Sequence, residues 1–285
     1  YKQTQDMLRS YDRKLDQRLF SDIDLRYVRG FDMFLQKRGC CGNTRKFYFK
    51  ALRAILNRAN AEGVGSVATY PFGRGGFEVS KLEEATAKRY LPAAKLSKLK
   101  SSTASNPQCE YARKLFLFSY YCYGISFIDM AMLTAAHIKQ MEDGDYIVYK
   151  RQKIKRQKGV KPISIKITPA IRQLIGSLQA ASPTVDDFLL PIVTRSGYTG
   201  ERLYMHIRTR YSKYQKYLRL LAEELGIDFH LTSYVSRHTA AMTLQRNNIP
   251  REVISQMLGH ADLETTNIYL DSFDNRVINE AAKVL

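Results

Sequence analysis

Through the first 66 residues apolar positions recur every three and four places, the signature of helices with one buried stripe. Leu25, Val28, Phe31, Phe34 and Leu35 follow this rule, predicting a helix from Asp24 to about Lys37, with Ser21-Asp22 as its cap and Gly39 and Gly42 as its stop. A second helix is expected from Asn43-Thr44, with Phe47, Phe49, Leu52, Ile55 and Leu56 on its apolar side, and Gly63 and Gly65 end it. The segment from Thr4 to Leu19 reads as a further amphipathic, basic helix. Residues 70–88 break the pattern with Tyr70-Pro71, Gly73, Gly75 and Gly76, and read as an extended, exposed linker. Beyond it, helices are expected at 93–101, 108–122 and 126–133.

The period then changes. Residues 145–152 and 161–168 alternate in the manner of strands, and a basic hairpin with Gly159 at its turn lies between them. Helical spacing resumes at 169–179, 202–225, 234–246, 251–258 and 263–269, with a short final helix at 275–284. The fold class is mainly α, in the α+β sense, with a small antiparallel sheet. The expected division is a helical domain at 1–69, a linker at 70–88 and a larger domain at 89–285.

A length of 285 residues suffices for two ordinary cores, and 45% hydrophobic with 25% charged residues describes a globular chain. Leu115 to Leu133, the longest apolar stretch, is broken by Ser119, Gly124, Ser126 and Asp129, so it reads as a core helix and no membrane span is expected. No secretory signal pattern is present, which points to the cytoplasm. The chain opens on Tyr1 instead of Met, which reads as a piece of a longer protein.

Charge narrows the partner. Forty-five Lys and Arg against 27 Asp and Glu give +18, an excess that attracts polyanions; nucleic acid leads, because neutralised phosphates release counterions. Cys40, Cys41, Cys109 and Cys122 form no CxxC pair, and the five histidines form no HExxH cluster, so no metal or cofactor is expected.

The chemically informative stretch is 231–270. Arg237 and His238 lie near the start of one expected helix, His260 follows Gly259 at the end of the next, and Tyr269 closes a third. Taken singly these are ordinary residues. Gathered together, an Arg can grip two oxygens of a phosphodiester, a His can add a hydrogen bond, and a Tyr hydroxyl can attack phosphorus and store the bond as an ester. Cations and donors can stabilise that transition state without a metal.

Arg237-His-Thr, Leu258-Gly-His260 and Tyr269, with separations of 260 − 237 = 23 and 269 − 260 = 9, resemble the C-terminal signature of the tyrosine recombinase (phage integrase) family. The wording SYVSRH, VISQMLGH and TTNIYLDSFD is similar to integrases of Bacteroides-type mobile elements, and FSDIDLRYVRGFDMFL with ALRAILNRA resembles the family's helical core-binding domain. The resemblance covers nearly the whole chain. It implies Tyr269 as nucleophile, Arg237 as the second of two phosphate-clamping arginines, and His260 as their helper. Tyr234 stands where the family usually has a histidine, with His230 a weaker substitute. It implies a lysine on the hairpin as general acid; Lys153 fits, among Lys150, Lys155, Lys158 and Lys161.

One departure is large. Aligned through Gly124 and Asp129, the family's first arginine is replaced by Ser126, which cannot act as a guanidinium clamp. Arg151 is the candidate replacement, because two residues before Lys153 on one strand it would share that face; Tyr123 is a weaker lining candidate. Asp129 matches the family's acidic residue and is expected to orient an arginine or the local backbone.

The resemblance further implies double-stranded DNA at a recombination site as partner, four protomers acting together on DNA from monomers or dimers in solution, and an accessory DNA-bending protein. The apolar side of residues 275–284 would pack on a neighbouring protomer or fold back on its own domain. Two alternatives stay open: a type IB topoisomerase-like enzyme, and a sequence-specific DNA-binding protein weakened at Ser126.

Overall fold

The structure, a computed structural model, describes residues 1–84, 89–260, 266, 267 and 270. The helices expected at 263–269 and 275–284, and Tyr269 itself, therefore lie outside the described residues, apart from Thr266 and Asn267. The chain divides into two compact units, Tyr1–Ala87 and Lys88–Leu285.

The first unit holds α1 (Lys2–Tyr11), α2 (Leu25–Lys37) and α3 (Gly42–Ala61). α1 is shorter than the sequence pattern suggested. It stops at Tyr11, and two single turns of 3-10 helix, Leu15–Gln17 and Phe20–Asp22, fill the remainder. The cap of α2 is Asp24, whose carboxylate accepts from the backbone N–H of Tyr27 at 2.8 Å, so Ser21 and Asp22 are not needed there. Val28, Phe31 and Leu35 from α2 meet Phe49, Leu52 and Leu56 from α3 in one apolar core, with Phe31 and Phe49 ring to ring. Phe47, expected on the buried side, is half exposed.

Residues 70–84 are not an exposed linker. Phe72 and Val79 are buried in this same core, and Phe77 packs against Phe49 with ring centroids 4.4 Å apart. The glycines at 73, 75 and 76 turn the chain so that the two phenylalanines bracket Phe49; Gly-rich composition alone looked like a spacer because it carries no information about what its flanking aromatics touch.

The second unit contains α4 (Ala93–Ser101), α5 (Pro107–Tyr121), α6 (Phe127–Ala131), the strands β1 (Ile138–Met141), β2 (Gly144–Tyr149) and β3 (Ile163–Lys166), then α7 (Pro169–Ala181), α8 (Gly200–Glu224), α9 (Ser233–Arg246) and α10 (Arg251–Leu258). α5 is the central helix. Asn106 caps it by accepting from Cys109 N–H at 2.7 Å, Pro107 opens it, and Cys109, Ala112, Leu115, Phe116 and Phe118 bury almost its full circumference against α7, α8 and α9. The sheet is antiparallel in the order β1-β2-β3, with Ile147 opposite Ile165 and Tyr149 opposite Ile163 on its buried face. β1 had no clear alternation and was not expected from sequence. Among the described residues no helix is long and apolar enough to cross a membrane.

Truncating Phe72 to Ala is expected to destabilise the first unit by about 3 kcal/mol, the usual cost of deleting a buried ring. Urea denaturation of the variant checks this; an exposed spacer would lose nothing measurable.

Candidate phosphate-binding site

The site is built where three chain turns in the second unit meet the N-terminal half of α9. The first turn follows α5: Tyr123 and Gly124 both adopt left-handed backbone, with φ of 57° and 73°. At Gly124 the requirement is double, since an added Cβ would also lie 2.6 Å from Cγ of Arg237. The second turn ends α10. Gly259 is left-handed at φ 63°, its N–H donates to Gln256 O and the N–H of His260 to Ser255 O, both at 3.0 Å. This is a Schellman closure, and it fixes the direction in which His260 leaves the helix. The third is the turn after β2, carrying Arg151 and Lys153.

Arg237 is at the centre. It is only 4% exposed. Its Nη1 donates to the carbonyl of Gly124 at 3.1 Å, and Nη2 donates to the carbonyl of Leu258. Nη2 also lies 2.9 Å from Nε2 of His260. An arginine can only donate, so that ring nitrogen accepts. The neutral imidazole's proton then sits on Nδ1, where it is donated to Thr266 Oγ at 2.7 Å. Burial, and secondarily the neighbouring Arg151 charge, push the Arg237 guanidinium down to about 10, far below its ordinary value. A bound phosphate would favour the charged form of a guanidinium so placed.

Arg151 lies beside it, with Nη1 donating to the carbonyl of Gly259 at 3.2 Å. The strand argument made for it does not hold: β2 ends at Tyr149, and residues 151–158 run through consecutive turns. A different device places Arg151. Asp129 is buried; one carboxylate oxygen accepts from the N–H of Gln152 at 2.7 Å and the other from the hydroxyl of Ser126 at 2.6 Å. Ser126 in turn caps α6. The serine at the expected arginine position thus helps a carboxylate hold the base of the 150s turn.

A cavity of about 380 Å³ opens here, lined by Gly124, Ser126, Arg151, Tyr234 and Arg237 and, from α8, by Tyr204, Arg208 and Tyr211. Tyr234 is 53% exposed, and its ring meets His238 at 5.2 Å. Lys153 is exposed on its turn and is not among the lining residues, nor are Tyr123 and His230. The structure therefore brings Arg237, His260, Arg151 and Tyr234 together and leaves Lys153 apart from them. Tyr269 lies outside the described residues.

Sequence reasoning missed Thr266 and the α8 contributors. Tyr204, Arg208 and Tyr211 are spaced by four and three, so one helix face did carry the signal, though nothing in it distinguished a cavity wall from a solvated stripe.

Comparison with known proteins places this arrangement. The model of the phage integrase family matches residues 89–276, and that of a phage integrase SAM-like domain matches residues 1–78. The chain belongs to the phage integrase family. It is 30% identical over 119 residues to the tyrosine recombinase XerD of Brucella abortus, a match spanning 41% of this chain and 35% of that protein. Over 54 residues it is 43% identical to XerD of Halalkalibacterium halodurans, spanning 19% of this chain and 18% of that one. The matched stretches thus cover about a third or less of these relatives. Among solved structures, the Tn1549 transposon integrase in complex with a circular intermediate DNA aligns over 92% of this chain and 86% of its own, with TM-score 0.65 and 12% identity. A lambda integrase dimer bound to a core site aligns over 96% and 91%, with TM-score 0.62 and 14% identity. At such identities the likeness is one of fold.

Replacing Gly124 with Ala forces a left-handed alanine against the Arg237 backbone. The expected cost is about 2 kcal/mol or more from backbone strain and overpacking combined. Thermal unfolding measures it, and an unchanged midpoint would mean the loop does not pack on α9 as described.

Proposed function

We propose that this chain is a site-specific tyrosine recombinase that cleaves and rejoins double-stranded DNA in integration, excision or inversion. The observation that carries the reading is the buried Arg237 guanidinium, 2.9 Å from His260 and beside Arg151, in a chain of the phage integrase family. Two guanidiniums facing one cavity, with an imidazole hydrogen-bonded to the buried one, suit an anionic phosphate.

In this mechanism Arg237 and Arg151 hold the non-bridging oxygens, and His260 assists by accepting from Arg237 Nη2 and orienting that guanidinium. The Tyr269 hydroxyl oxygen attacks phosphorus, and the bond from phosphorus to the 5′ oxygen breaks. Lys153 delivers a proton to that departing oxygen, its turn closing over the cavity on DNA. The 3′-phosphotyrosyl ester is later attacked by a 5′ hydroxyl from a partner strand, which releases Tyr269. Tyr234 lines the cavity as a hydroxyl donor in the place of the usual histidine. The reaction uses no metal: cationic side chains supply the charge stabilisation. The working assembly is four protomers on DNA, assisted by a DNA-bending protein, with residues 275–284 joining neighbours, and the setting is the bacterial cytoplasm. The transposon integrase fold match, in a structure holding circular intermediate DNA, supports a mobile-element role.

Two experiments test this. The first uses a nicked duplex that carries the DNA flanking the gene, so that the cleaved fragment diffuses away and traps the intermediate. A covalent protein–DNA adduct is expected for the unaltered chain and none for Tyr269→Phe. Specific binding with no adduct would instead indicate a DNA-binding protein. Arg151→Ala should slow adduct formation by about 100-fold or more, the typical loss of one transition-state donor; a near-normal rate would remove Arg151 from the mechanism. In the second, Lys153→Ala should be slow on ordinary DNA and near normal on DNA with sulfur at the 5′ bridging position, since a thiolate departs without a proton. No rescue by sulfur would rule out Lys153 as the acid.

A further inference from the structure

Two buried serines lie behind the site. Ser119 on α5 and Ser236 on α9 are 1% and 0% exposed, and their hydroxyl oxygens are 2.7 Å apart. Ser119 holds the turn after α5 from both sides: its carbonyl accepts from the N–H of Gly124 at 2.7 Å, and its hydroxyl donates to the carbonyl of Ile125 at 2.8 Å. Ser236 immediately precedes Arg237, and its single hydroxyl proton is shared between Ser119 Oγ and the carbonyl of Ser233, each 2.7 Å away. The Gly124 carbonyl, between the two anchored bonds, is the one that accepts from Arg237 Nη1. The contacts close a ring, from Ser119 through Ile125, Gly124, Arg237 and Ser236 back to Ser119.

We propose that Ser119 and Ser236 are positioning residues that fix the Arg237 guanidinium for phosphate through the Gly124 carbonyl, an inference that rests on the recombinase reading above. The physical reason is rigidity. A single carbonyl contact leaves a guanidinium free to rock, whereas here the accepting carbonyl is pinned on both flanks and tied to the helix that carries the arginine. Both hydroxyls are deep in the core and away from the cavity lining, so neither touches the DNA. Removing both hydroxyls also takes a donor from the Ile125 carbonyl, so some stability is lost, and the two roles are separated by whether the rate of adduct formation falls well beyond stability and DNA affinity.

The test is the double variant Ser119→Ala/Ser236→Ala on the nicked duplex described above, measured at saturating DNA. The expected result is a modestly lowered melting temperature and a DNA Kd close to that of the unaltered chain, with adduct formation slowed by about 100-fold, as for a displaced catalytic group. The single variant Ser236→Ala, which keeps the Ser119 bond to Ile125, should show a smaller loss in the same direction and serves if the double variant does not fold. Adduct formation at the normal rate overturns the proposal. So does a rate that falls only in step with melting temperature and DNA affinity, which would make the pair merely structural. Should the unaltered chain itself form no adduct on this duplex, the recombinase reading fails first, and that outcome is distinct from both.

Discussion

A buried positive charge is the constraint around which the second unit is arranged. Taking a guanidinium out of water costs several kcal/mol unless hydrogen bonds compensate. Around Arg237 that compensation comes from carbonyls at the ends of two elements, Gly124 after α5 and Leu258 at the close of α10. Both carbonyls are presented by chain reversals next to a left-handed glycine or at one. Arg151 adds a second cation beside it, which works against the charged form as burial does. Each of two adjacent guanidiniums is relieved by a nearby anion.

The same arrangement accounts for the odd features of the sequence. Glycine at 124 is required because α9 passes directly over it, and glycine at 259 because the Schellman closure needs a left-handed residue whose Cβ would fall 2.9 Å from Cγ1 of Ile163 on β3. Serine at 126 loses the arginine but gains a cap for α6 and a bond to Asp129, and Asp129 then anchors the turn bearing Arg151. The buried carboxylate thus links the serine of one loop to the base of the next.

What the sequence disclosed follows from which signals are local. Helical periods located nearly every helix, because apolar spacing and caps such as Asn106-Pro107 act within a turn or two. The Arg, Gly-His and Tyr spacings disclosed the family because that residue set at those separations has few other uses. Signals that depend on distant contacts were hidden. Phe72 and Phe77 looked like linker residues until Phe49 was placed between them. β1, with its exposed Lys139 and Gln140, is a strand only because β2 pairs with it. Thr266 became a site residue only once His260 was turned toward it.

Arg151 comes to lie beside Arg237 for a reason other than strand alternation. Alternation along an extended strand would have pointed residues 151 and 153 to one face. The strand stops at Tyr149, and the turn that follows separates them, bringing Arg151 to Gly259 and leaving Lys153 in solvent. That separation has chemical sense. In the mechanism proposed above, a clamp for non-bridging oxygens is most useful when rigid before substrate arrives, which fits a base tied through Gln152 to a buried carboxylate. The proposed general acid has to reach an oxygen whose position depends on bound DNA, which fits the exposed part of the turn. The division of the 150s turn into an anchored base and an exposed tip follows from those two different requirements.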